Sequence, residues 1–406
     1  MNQKQLGLLI AKLRKQQHLT QEQLAQKLNV SSKAVSKWET GMGYPEITLL
    51  PRLAAVLGVS VDFLLAGERR GITVAGNIIM DIVKQVECYP KLGMLAGISS
   101  VSRAIGGCAP NVSIDLSRID PTLPLNVLGC IGDDEYGRYL IAQLQRHNID
   151  TSGITVSEQA PTSFTDVMSL AGGERTFFHA RGANALFSPE NIHIPALNCH
   201  ILHIGYILLL DSFDKEDPEY GTAMARFLHQ VQQAGIKTSI DVVSDSTNDY
   251  PKKIIPALKY CDYVIINEIE CCNIWGLDPR MEDGTLNAGV LRTAMEQVMA
   301  CGVGEKVIVH SKECGFCLSR DGQWTVVPSL VIPPEQIKGS VGAGDAYCAG
   351  CLYGIYHRYS DREMLEFASA AAACNLFAEN AVDGMRSRQD ILHLMTTTPR
   401  LDPPKL

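Results

Sequence analysis

No run of this 406-residue chain stays apolar long enough to span a bilayer, so no transmembrane helix is expected. The opening MNQKQLGLLIAKLRKQQ sets Lys and Arg inside its apolar periodicity and offers no small-residue cleavage site, which argues against a signal peptide. An even, disulfide-like cysteine framework is also missing. Thirteen cysteines, an odd number in a long chain without a leader, point to reduced thiols in a cytoplasm. The two CxxC pairs, Cys314/Cys317 and Cys348/Cys351, would make a zinc site only if they converged; buried structural thiols are the expectation. A long flexible linker is absent too, since residues 67–71 (Gly-Glu-Arg-Arg-Gly) are only a short polar joint.

The charge is unevenly spread. Residues 1–66 hold eight Lys/Arg against four acids, so this head carries +4 and the remainder −12 of the net −8. A basic head on an acidic body implies different partners for the two parts. The head reads as five short helices. Leu6, Leu9, Ile10 and Leu13 recur at helical spacing; Thr20 stands as N-cap with Gln23 at the capping-box position; Asn29-Val30-Ser31 turns the chain into a helix from Ser32 to Trp38. Glu46–Leu57 and Val61–Leu65 supply the rest. Two helices joined by such a turn form a helix-turn-helix.

The string LTQEQLAQKLNVSSKAVSKWETG resembles the Cro/λ-repressor (XRE-type) helix-turn-helix family over residues 1–66. The resemblance implies double-stranded DNA as partner, with Gln21 on phosphate and Ser32, Lys33, Ser36 and Lys37 facing base edges in the major groove. Ala25, Val30, Val35 and Trp38 are read as core. A head serving only for dimerisation is the plainer alternative.

Beyond residue 71, strand-like runs (Ile72–Ala75, Ile78–Met80, Asn126–Ile131, Thr165–Leu170, Arg175–His179, Ile201–Ile204, Thr238–Val243, Tyr263–Ile266, Lys306–Val309) alternate with amphipathic helical ones such as Glu219–Gln233 and Asn287–Ala300. This order predicts a three-layer α/β/α body with a mostly parallel sheet, whose ligands sit beyond the carboxyl ends of the strands. One loop is the most informative. Gly339-Ser340-Val341-Gly342-Ala343-Gly344-Asp345 runs into a predicted helix, so bare backbone N–H groups and a helix N-terminus form an anion cradle beside a carboxylate. Phosphoryl transfer to an alcohol needs that pairing.

The body resembles the ribokinase-like (PfkB) carbohydrate kinases across nearly its whole length. The matching segments fall in the family's order: Gly76–Asp81 (GNIIMD), Gly106–Val112 (GGCAPNV), Gly132–Gly137, Gly173–Phe177, Gly182–Asn184, Asn267–Glu270 and the glycine loop itself. The resemblance implies a ribokinase-like fold with a small β lid, formed by Cys88–Ser102 and Asp166–Arg181, and ATP with Mg²⁺ as cofactors. It places Asp81 and Asn111 on the sugar hydroxyls, Gly107 where the sugar lies against bare backbone, and Asn184 either on the sugar side or in a turn. Asn267 and Glu270 would order Mg²⁺ largely through water. Ser340 lies on the ATP side, and Asn375, on the predicted helix Glu363–Ala378, near the adenine. Asp345 is the implied base, with the N–H groups of Gly342, Ala343 and Gly344 as the anion hole. Gly339 replaces the acid that usually helps hold a monovalent cation, which counts against K⁺ activation.

The expected organisation is therefore a helix-turn-helix domain over 1–66, a linker over 67–71, a kinase domain over 72–395 and a tail over 396–406. The expected protein is a homodimeric sugar or nucleoside kinase that also regulates transcription. The alternative is a kinase-derived sensor that binds a sugar and switches the head without turnover.

Overall fold

A computed structural model describes residues 1–59, 61–67, 70–170, 174–244 and 249–403. Within the expected segments, linker residues 68 and 69, Gly173 and tail residues 404–406 lie outside the described residues. The chain divides into two compact units. One is Met1–Gly71 with His193–His200 and Gln233–Ile236, and the other is the remainder.

The head contains the helices Gln3–Gln16, Gln21–Leu28, Ser32–Glu39, Leu50–Leu57 and Val61–Ala66, with a short 3₁₀ turn Ile47–Leu49 in place of the first part of the fourth. Its second helix starts where its polar residues dictate. Thr20 accepts from Gln23 N–H at 3.1 Å while Gln23 accepts from Thr20 N–H at 2.8 Å. Asn29 ends that helix in the left-handed region (φ 58°), and Ser31 caps the next. Leu24, Ala25, Val35, Trp38 and Leu53 are buried together, as their helical spacing requires.

The body is built on a nine-stranded sheet. Its order runs Trp324–Pro328, Cys314–Ser319, Lys306–His310, Tyr263–Asn267, Lys237–Val242, Ile201–Ile207, Ile72–Ala75, Leu125–Gly132, Ile154–Ser157. The seven strands from Lys306–His310 to Ile154–Ser157 pair in parallel; the first two form an antiparallel extension. Strands such as Ile72–Ala75 are apolar without alternation because both faces are covered. The chain leaves Ile72–Ala75 toward Leu125–Gly132 on one side and returns through Ile201–Ile207 on the other. That reversal is where an open α/β sheet offers a ligand crevice.

A separate four-stranded sheet, in the order Ile98–Gly106, Ile79–Val86, Phe164–Ser169, Arg175–Ala180, forms the lid. It includes a strand that the sequence reading cut short at Met80. Ile79–Val86 is only half buried and pairs with lid strands rather than with Ile72–Ala75. No helix among the described residues is long and apolar enough to cross a membrane.

Candidate active site

The carboxyl ends of adjacent parallel strands bring Tyr206, Asp241, Asn267 and His310 to one level, and the helix Ala343–Tyr356 points its N-terminus at them. With Glu270, Gly342, Gly344, Asp345 and Cys348 they line a cavity of about 250 Å³. The helix opens on Gly342, whose φ of 81° and whose closeness to Ala381 exclude a side chain: a Cβ there would sit 2.6 Å from Ala381 O. Ala343 N–H already closes a turn on Ser340 O at 3.2 Å, and Ser340 itself is exposed. The N–H groups of Gly344 and Asp345 belong to the first turn, which has no acceptors within the helix. That end of the helix suits an anion.

Asp345 is buried, yet its carboxylate is fully addressed. Asn111 Nδ2 donates to Oδ2 at 2.8 Å, and Tyr206 Oη lies 3.2 and 3.3 Å from the two oxygens. Burial pushes its pKa up to about 7, helped by the negative charge of Asp241 and more weakly of Asp81, while the Asn111 and Tyr206 hydrogen bonds hold it down. A carboxylate that titrates near neutrality is matched to taking a proton from a hydroxyl. The remaining amide oxygen of Asn111 is buried with no partner among the described residues, an acceptor that a ligand or water would satisfy.

Asp81 lies on the lid strand Ile79–Val86 and lines a second cavity, of about 450 Å³, with Gln85, Ser102, Arg175 and Phe177 of the lid and with Val341 and Ala381. Burial raises its pKa to about 6, opposed by a hydrogen bond from Thr165. Gly107 begins the helix Cys108–Ile119 with φ 91°, and a Cβ there would meet Asn77 O at 2.3 Å. Its lack of a side chain is therefore already required by the protein's own backbone.

Four sequence-predicted residues are engaged inside the protein. Asn184 spends both polar atoms on Ile78: Oδ1 accepts from its N–H and Nδ2 donates to its carbonyl, each at 3.1 Å. It clamps the chain ahead of Asp81 rather than presenting its amide to a sugar. Asn375 is fully buried and donates to Ala381 O at 2.5 Å. Through Nδ2 it secures the segment that crowds Gly342, while its Oδ1 is buried without a partner among the described residues. Asn267 and Glu270 form a capping box. Asn267 Oδ1 accepts from Glu270 N–H at 2.8 Å, and Glu270 Oε2 accepts from Asn267 N–H at 3.0 Å.

The other oxygen of Glu270 accepts from Ser244 Oγ at 2.9 Å, and burial raises its pKa to about 8. Its two oxygens are thus occupied, a donor set that fits Mg²⁺ through intervening water better than by direct ligation.

Sequence reasoning missed Tyr206, Asp241 and His310. Tyr206 holds an unusual φ of 60°, and its N–H donates to Asp241 Oδ1 at 2.5 Å. His310 packs against Tyr347 with ring centroids 4.8 Å apart, and burial lowers its pKa to about 4, so it is neutral. Each lies at or near the end of an apolar strand; that position was the available signal.

In the head, Lys33 and Lys37 are exposed and four residues apart on one helix, as are Ser32 and the half-buried Ser36. Val35 and Trp38 fill the core side. Gln21 is turned inward instead: its amide donates to Glu39 Oε2 at 2.7 Å, beside the Arg14–Glu39 ion pair.

Residues 69–388 match the model of the pfkB family carbohydrate kinases, and residues 10–64 match a helix-turn-helix model. Fructokinase-1 of Zea mays is 25% identical over 346 residues, covering 82% of this chain and 99% of that protein. Ribokinase of Arabidopsis thaliana is 24% identical over 358 residues, 85% of this chain and 88% of that one. The solved structure of Arabidopsis thaliana ribokinase with ribose and ATP superposes with a TM-score of 0.66 at 21% identity, covering 81% of this chain and 99% of that chain.

Proposed function

Because this chain belongs to the pfkB family of carbohydrate kinases and carries a helix-turn-helix head, we propose that it transfers the γ-phosphoryl group of ATP to a hydroxyl of a sugar or sugar-like acceptor. The observation that carries the reading is the convergence of Asn111 and Tyr206 on Asp345 at the open end of a helix. Asp345 takes the acceptor's hydroxyl proton as its oxygen bonds to the γ-phosphorus and the bond to the ADP oxygen breaks. The first-turn N–H groups offset charge on the phosphoryl oxygens. Asp81 and Asn111 orient the acceptor, and Asn267 with Glu270 would order the waters around Mg²⁺, which supplies charge neutralisation when bound. Gly339 offers no acid for a K⁺ ion.

The relatives named fructokinase and ribokinase support a sugar acceptor; ribose, fructose, a keto-deoxy acid or a nucleoside all fit this reading. The head would bind operator DNA through Ser32, Lys33, Ser36 and Lys37, with a homodimer presenting two heads to two half-sites. Fusion suggests that acceptor occupancy alters DNA affinity. The direct test is ATP consumption by the full chain over a panel of these acceptors. A catalytically weak sensor is the second reading, favoured by Gly339; turnover on no acceptor together with sugar-dependent DNA binding would establish it instead.

A further inference from the structure

At the base of the phosphate-side cavity, three side chains from different elements converge on one point. His203 belongs to the strand Ile201–Ile207, Asp241 to the neighbouring strand Lys237–Val242, and Cys348 to the helix Ala343–Tyr356. His203 Nε2 lies 3.5 Å from Asp241 Oδ2 and 3.5 Å from Cys348 Sγ. All three residues are buried, and one ligand atom from each lies within 4.8 Å of the others. A tetrahedral zinc ion, bonded at about 2.0–2.1 Å to nitrogen and oxygen and about 2.3 Å to sulfur, sets N···S near ~3.6 Å and N···O near ~3.4 Å. The observed separations are close to both.

The second observation is how these groups are held. His203 Nδ1 lies 2.9 Å from Ser239 Oγ, which can accept Nδ1–H and so turn the Nε2 lone pair toward the other two groups. Asp241 Oδ1 is taken by Tyr206 N–H, which leaves Oδ2 at the point of convergence. Outer partners of this kind fix tautomer and orientation in metal sites. A plain hydrogen-bonded triad accounts for less. The single Nε2 position can accept from the thiol or donate to the carboxylate, but not both. Asp241 and Cys348 also line the cavity, which gives an ion a way in and leaves room for a water as fourth ligand.

We propose that His203, Asp241 and Cys348 form a binding site for a borderline divalent cation of the Zn²⁺ class, separate from Mg²⁺ ordered near Glu270. Thiolate and imidazole together favour Zn²⁺ over Mg²⁺. Burial otherwise keeps the Cys348 thiol protonated, so binding releases that proton to solvent. Tyr206 joins the site to Asp345, its N–H on Asp241 and its hydroxyl on Asp345. Neither CxxC pair is needed: Cys314, Cys317 and Cys351 are buried elsewhere in the core and belong to no such group among the described residues.

The test is titration of Co²⁺ into the reduced, chelator-treated full chain. The expected result is one equivalent bound with a thiolate-to-metal charge-transfer band, and displacement of that band by Zn²⁺. Cys348→Ser should abolish the band with unchanged circular dichroism, and Ser239→Ala should keep it with affinity about 10-fold weaker. If Cys348→Ser does not fold, His203→Gln, which retains the thiol, should lose the one-equivalent site. Absence of a band in the unmodified chain would overturn the proposal. So would an undiminished band in folded Cys348→Ser, which would place the ion on another thiol, or in folded His203→Gln, which would show that the imidazole is not a ligand.

Discussion

Asn111 and Asp345 stand 234 residues apart in sequence and meet at 2.8 Å, amide nitrogen to carboxylate oxygen. Asn111 sits in the first turn of the helix Cys108–Ile119 and Asp345 in the first turn of Ala343–Tyr356. On the roles proposed above, the contact ties the acceptor side of the site to the phosphate side, and it bears on when Asp345 is ionised.

Asn111→Leu removes a bond to the carboxylate that lowers its pKa, so the titration of Asp345 should move above about 7. Less of the base is then ionised at neutrality. kcat/KM at pH 7 is expected to fall about 10-fold or more, and the rising limb of its pH profile to shift upward. A loss of rate with an unmoved profile would mean that Asn111 acts on the acceptor alone.

Glu270→Gln separates two roles that coincide in one side chain. Glutamine keeps the capping box with Asn267, so thermal stability should hold. The carboxyl that Mg²⁺ would draw into its charged form is lost, so the apparent Mg²⁺ requirement should rise. Unchanged Mg²⁺ dependence of the ATPase assay would reduce Glu270 to a cap.

Gly339 faces the backbone closely: a Cβ there would lie 3.0 Å from Ala378 O and 3.2 Å from Glu379 O. A cation-holding acid has little room at this position. Replacing K⁺ with Na⁺ should leave the kinase rate unchanged, and marked activation by K⁺ would contradict the assignment.

Lys33→Ala and Lys37→Ala remove exposed cations from one face of the helix Ser32–Glu39. Each should weaken operator binding by about 1–3 kcal/mol if it reads a base. If it meets phosphate instead, the loss is even across sequences and the salt slope shallows by about one. Fluorescence anisotropy over a salt series distinguishes these. No measurable binding by the intact chain at low salt would remove the operator reading.

Local signals were legible in the sequence where neighbouring residues create them. The Thr20–Gln23 capping box needs only four residues and formed as read. So did the tight turn at Asn29-Val30-Ser31, which Asn29 enters in the left-handed region. The alternation of apolar strands and amphipathic helices carried the parallel body. What stayed hidden depends on distant partners. Asn267 and Glu270 read as a ligand motif, and nothing in their spacing separated that from the helix cap they also form. Ile79–Val86 resembled a sheet strand until its half-exposed pattern showed that it belongs to the lid. The hairpin strand Cys314–Ser319 is buried at every residue, so it has no alternation to betray it. Tyr206, Asp241 and His310 are single residues without a motif, drawn together only by strand order.

That Asp345 is a base held ready near neutral pH is the proposal on which the function rests. It is tested most directly by acceptor-dependent ATP consumption in the full chain and in Asp345→Ala. Turnover on at least one sugar or nucleoside is expected, with a fall of about 10²–10⁴-fold in the variant and acceptor binding retained. Equal rates in the two proteins, or no turnover on any acceptor while a sugar still alters DNA binding, would contradict it.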